Sequence, residues 1–167
     1  RVSRGLGDVY KRQEISQVLI QQNSENKQIY EENTEKYIKD LEKVEKQYEE
    51  ISQKLNGQKA ICLNEALEYL AKDIKLEYIS LHTDHDENSM SAESIKNIIN
   101  KMNTENIKII LIGKDDSIKN AEILANETNA KIYKLDTVLT GATDKSAYID
   151  AANRNLEVLK SVLGDEK

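Results

Sequence analysis

Residues 107–113 read IKIILIG: four isoleucines and a leucine in seven positions, closed by a glycine. A run this short and apolar, rich in branched side chains and ending on a turn residue, has the pattern of a strand buried on both faces. Three other runs share its character: KAICL at 59–63, LEYISL at 76–81 and AKIYKLD at 130–136. Between them lie NEALEYLAKDI (64–74), SAESIKNIINKM (91–102) and SIKNAEILANET (117–128). Their apolar residues recur at helical spacing, as Ile95, Ile98, Ile99 and Met102 do. A last helical stretch, SAYIDAANRNLEVLKSVL (146–163), sets Tyr148, Ala152, Leu156, Leu159 and Leu163 on one face. Strand and helix therefore alternate four times. Right-handed crossovers turn that order into an α/β, Rossmann-like lobe: a four-stranded parallel sheet with helices on both faces.

Upstream the period changes. From Glu14 to Leu55 the pattern is helical and highly charged, with a break at QQNSEN (21–26) where Asn23 or Ser24 can cap a new start. Tyr30, Tyr37, Leu41, Val44, Tyr48, Ile51 and Leu55 follow at alternating four- and three-residue steps, one stripe of a single long helix. Such a helix is about 45 Å long. The spacing suits a coiled coil or linker as well as a helix that runs along a globular domain and leads to another. Gly57 is placed to end it as a left-handed cap. The expected organisation is a helical segment over 14–56 and a carboxyl-terminal α/β lobe over 57–167. Residues 1–13, RVSRGLGDVYKRQ, hold three of the four arginines and two of the six glycines, in a chain that otherwise uses lysine. They read as a non-native leader and are set apart from the fold, with the natural amino terminus expected to be truncated.

Composition narrows the partners. With 167 residues the chain is long enough for one domain and an appended helix. Its net charge of -6 and its lack of Phe and Trp argue against nucleic acid, which asks for basic patches and stacking platforms. No run is apolar and long enough to span a membrane. Cys62 is the single cysteine, so it forms no intramolecular disulfide, and its place inside a strand makes it a small buried apolar group.

In an open parallel sheet, ligands bind outside the carboxyl ends of the strands. The residues expected there are Asn64 and Glu65 after the first strand, HTDHDENS (82–89) after the second, Asp115 and Asp116 in GKDD after the third, and Asp136 after the fourth. That edge is acidic and polar, suited to a cation. His82 and His85 are three apart, a spacing compatible with an accessory zinc or copper site, but they fall in a connector that reads as a solvated loop. The glycines beyond the leader are isolated, so no phosphate-cradling turn is present, and no nucleophile stands near a histidine. An enzyme is not expected.

Four segments resemble, in order, the carboxyl-terminal half of the zinc- and manganese-binding solute-binding proteins of bacterial ABC importers. NSENKQIYEENTEKYIKDLEKVEKQY (23–48) is similar to the opening of their interlobe helix, with Asn26, Tyr30 and Asn33 at matching intervals. NEALEYLAKDIKLEYISL (64–81) resembles the metal-ligand turn, helix and second strand, with Tyr69 matching. MSAESIKNIINKM (90–102) resembles a helix start in which Met90 replaces a proline. KIYKLDTVL (131–139) and AYIDAANRNLEVL (147–159) resemble the last strand and terminal helix, with Tyr148, Asn155 and Leu156 in register.

The resemblance implies a two-lobed protein, extracytoplasmic and tethered as a lipoprotein or periplasmic, whose signal sequence lies outside this chain. It would trap one divalent metal, zinc or manganese, as transported ligand and pass it to a membrane permease, acting as a monomer. It also implies two metal ligands in this half, at the positions of Asn64 and Asp136, with Glu65 as a substitute for the first. Asn64 departs from the His or Glu of the family; an amide oxygen suits manganese better than zinc, and Asn64 is also a good helix N-cap. Two other readings stand beside transport. One is a metal-free interaction module, a helical rod with an α/β domain; the other is a surface adhesin of the same family.

Overall fold

The computed structural model describes residues 4–81 and 91–164. The chain divides into two compact units, Arg1–Tyr48 and Glu49–Lys167.

The first unit is helical. Helix α1 (Arg4–Gln22) is followed by a 3-10 turn, Ser24–Asn26, and then by the start of α2 (Lys27–Leu55). The break falls inside QQNSEN as expected. Asn23 makes no side-chain cap bond. Its backbone does the work instead: its N–H donates to the Leu19 carbonyl at 2.9 Å and its carbonyl accepts from Asn26 at 3.3 Å. Helix α1 also runs straight through the compositional boundary at Glu14, and the Arg12 guanidinium lies 4.2 Å over the Tyr37 ring. Residues 4–13, set apart above as a leader, are thus helical in the structure. Arginine is as good a helix former as lysine, so a change of cation usage does not mark a change of conformation. Along α2 the expected stripe holds: Leu41, Val44, Ile51 and Leu55 are buried, while Tyr30, Tyr37 and Tyr48 are half-buried.

The second unit takes in the last turns of α2 and the sheet. Gly57 ends the helix with φ at +83°, where a side chain would be strained. Strands β1 (Lys59–Cys62), β2 (Glu77–Ser80), β3 (Ile109–Gly113) and β4 (Lys131–Leu135) alternate with α3 (Glu65–Asp73), α4 (Ala92–Thr104), α5 (Lys119–Thr128) and α6 (Ala147–Gly164). All pairings are parallel, in the order β2-β1-β3-β4. Ile61, Ile110 and Ile132 stand in register across three strands, and so do Cys62, Leu111 and Tyr133 on the opposite face. The first row packs with Ile112 against Met102, Ile98 and Ile99 of α4 and Ala121 and Leu124 of α5. Helix α3 packs on β1, β2 and β3, and α6 packs on β4.

Because β1 pairs with both β2 and β3, the chain leaves it first toward one edge and then toward the other. The carboxyl ends of β1 and β3 thus flank the topological switch point, the crevice where open α/β sheets take their ligands. At the margins of the sheet, β2 is four residues long with Glu77 exposed, and β4 exposes Lys131 and Lys134.

Candidate functional site

Two polar constellations occupy the carboxyl edge of the sheet. The first spans the switch point. Asn64 is extended (φ -138°, ψ 123°) and caps α3, its Oδ1 accepting from the Ala66 N–H at 2.9 Å. Its Nδ2 donates to Asp116 Oδ2 at 2.8 Å. The same oxygen accepts from the Gly113 N–H at 2.8 Å, so the loop after β3 is folded back on its own strand and tied to the end of β1. A side chain on Gly113 would push this carboxylate aside: a Cβ there would stand 2.6 Å from Asp116 Oδ2. Asp116 was expected at the edge, and it is there. Helix α5 begins at Lys119, and Ile118 precedes it with no side-chain cap.

The second constellation surrounds Asp136, whose side chain is 4% exposed. Its Oδ1 accepts from the Val138 N–H at 2.9 Å, and its Oδ2 accepts from Lys114 Nζ at 2.8 Å and from Arg154 at 3.1 Å. Asn155 holds the backbone of the same residue at both ends, its Oδ1 accepting from the Asp136 N–H at 2.7 Å and its Nδ2 donating to the Asp136 carbonyl at 2.8 Å. Burial pushes the carboxyl pKa up. The bonds from Lys114, Val138 and Arg154 outweigh it and hold the group below the ordinary carboxylate value. Asp136 is therefore a fixed anion.

The remaining candidates are exposed or buried on neighbouring turns, or lie outside the described residues. Glu65 is exposed in the first turn of α3, and Asp115 is exposed in the turn after β3. His82 and His85 lie outside the described residues. Cys62 is buried, donates to the Asn64 carbonyl at 3.3 Å, and has its thiol pKa raised by burial to about 11, so it stays protonated at neutral pH. Among the described residues no group of three or more His, Cys, Asp or Glu is close enough to hold a metal by itself. Lys114, Arg154 and Asn155 had no role in the expected site. Asn155 carried a signal: it is a polar residue on the buried stripe of Ala151, Ala152, Leu156 and Leu159, a position that demands hydrogen-bond partners.

The architecture is that of a parallel α/β lobe with a polar site at its switch point, the class of open α/β folds that take a ligand at the carboxyl edge of the sheet. The family model of zinc-uptake complex component A, periplasmic, matches residues 12–162, and the chain belongs to that family. It is 31% identical over 154 residues to the high-affinity zinc uptake system protein ZnuA of Bacillus subtilis (strain 168), covering 89% of this chain and 48% of the relative. The chain thus spans about half the length of that curated relative. The metal-dependent lipoprotein YcdH of Bacillus subtilis superposes with a TM-score of 0.71 at 29% identity, over 88% of this chain and 57% of that one. FpvC of Pseudomonas aeruginosa, described in complex with Mn2+, gives 0.70 at 19% identity over 92% and 58%. The laminin-binding protein Lbp of Streptococcus pyogenes gives 0.69 at 24% over 89% and 59%. The last two show the shared fold.

Proposed function

We propose that this chain is the carboxyl-terminal half of an extracytoplasmic protein that binds a divalent metal, zinc or manganese, and delivers it to the permease of an ABC importer. It performs no catalytic step. The observation that carries the proposal is Asp136: a buried carboxylate, kept ionised at the end of the last strand of the sheet, in a chain of the zinc-uptake family. Asn64 and Asp116 stand across the switch point as the other oxygen donors of this half. An all-oxygen contribution favours a hard ion such as manganese, and zinc affinity then depends on nitrogen donors from elsewhere in the protein. Lobe closure completes the shell, so one half alone holds metal weakly.

One observation favours the rival, a metal-free interaction module: Asn64 and Asp136 already have protein partners. The two readings part on one experiment. Zinc and manganese are titrated calorimetrically into the full-length protein and its Asp136→Ala variant, with folding checked by circular dichroism. The transport reading expects binding in the first and its loss or marked weakening in the second; equal affinity in both eliminates it.

A further inference from the structure

We propose that Lys114 sets the cation selectivity of this site, acting as a built-in counter-ion that an incoming divalent cargo must displace. The inference rests on the reading of Asp136 as a cargo ligand. A carboxylate offers about four lone-pair positions. Here the Val138 N–H takes one on Oδ1, and Lys114 and Arg154 take both on Oδ2. A metal ion seats about 2.1 Å from its oxygen ligand, too close to share Oδ2 with two cationic donors. One position on Oδ1 stays open, but a metal held by both oxygens, or by Oδ2, needs one of the cations to leave.

Asp136 cannot. Its side chain is buried and its backbone is clamped by Asn155 on both the N–H and the carbonyl. Arg154 makes the longer contact and its side chain is 60% exposed, but it is carried by α6, the same helix whose Asn155 clamps Asp136. Lys114 makes the shorter one, and its side chain is 38% exposed, on a flexible stem with water at hand. It lies in the turn after β3, two residues from Asp116, so its release opens the edge beside the second oxygen donor. The exchange also discriminates by charge. A monovalent ion replaces one positive charge with another and gains nothing, whereas a divalent ion gains the extra charge against a fixed anion.

The test titrates manganese chloride and zinc chloride into the full-length protein and its Lys114→Gln, Lys114→Arg and Asp136→Ala variants. Removing the ammonium in Lys114→Gln raises divalent affinity about tenfold, and Lys114→Arg, which restores the charge, stays within about twofold of the parent. In the parent, adding metal raises acetylation of Lys114, read by mass spectrometry. Lys108, whose ammonium holds the Thr128 carbonyl, serves as the unchanged reference. If Asp136→Ala abolishes binding while Lys114→Gln binds no more tightly than the parent, the Lys114 proposal is overturned and the transport reading stands. A gain in Lys114→Arg equal to that in Lys114→Gln overturns it too, since charge is then not the cause. Equal affinity in the parent, Lys114→Gln and Asp136→Ala, or binding in none of them, overturns both.

Discussion

Asp116 and Asp136 follow adjacent strands on one sheet edge, and they are held in opposite ways. Asp116 is exposed, and its Oδ2 accepts from a neutral side-chain amide and a backbone N–H. Asp136 is buried, held by two cations and a backbone N–H, with an asparagine securing its main chain. The first is a clasp that water can replace bond for bond. The second is a buried charge that depends on its partners, because removing any of them leaves a desolvated polar group behind. The difference teaches where the rigidity of the edge comes from: the β4 side is fixed from α6, and the β1–β3 side is tied only at its surface.

Four substitutions, followed by urea unfolding, would break or sharpen that contrast. Asn155→Ala has the largest expected effect, about 3 kcal/mol, since it orphans both the N–H and the carbonyl of Asp136. Asp136→Asn comes next at about 2 kcal/mol, limited because Lys114 and Arg154 are exposed enough to regain water. This variant also changes the acid limb. The folded-state pKa of Asp136 lies below its unfolded value, so its stabilisation is complete above about pH 5 and fades as the pH falls through the folded value. The parent should therefore lose stability below about pH 4 more steeply than Asp136→Asn; parallel acid profiles would contradict the lowered pKa.

On the clasp side, Gly113→Ala drives a methyl into the Asp116 carboxylate and should cost about 1–2 kcal/mol. Asn64→Ala removes the α3 cap and the tie to Asp116 together, for about 1 kcal/mol. If Asn64→Ala proved as damaging as Asn155→Ala, the distinction between a surface tie and a buried anchor would collapse.

Most of the fold was legible because IKIILIG and its three companions differ in period from the stretches between them, and period is a local property. The Gly57 stop and the Asn64 cap were legible for the same reason, being chemistry within three residues of the bond they make. The site was legible in position only. That Asp136 ends a strand follows from the pattern, but its partners come from the turn after β3 and from α6, 22, 18 and 19 residues away. Nothing in local spacing brings Lys114 to Asp136; the β3–β4 register does. The acids of GKDD drew attention to charge, while the lysine among them makes the contact that counts. The missed cap at Asn23 has the opposite cause: a competent side chain was present, and a backbone turn made it unnecessary.

The two margins of the sheet have a consequence of their own. An exposed strand edge invites another polypeptide to dock and continue the ladder. Strand β4 meets that invitation with Lys131 and Lys134, and β2 with a span of only four residues opened by Glu77. Two copies meeting along β4 would set lysine against lysine, an electrostatic veto that keeps neighbouring molecules from growing into a shared sheet.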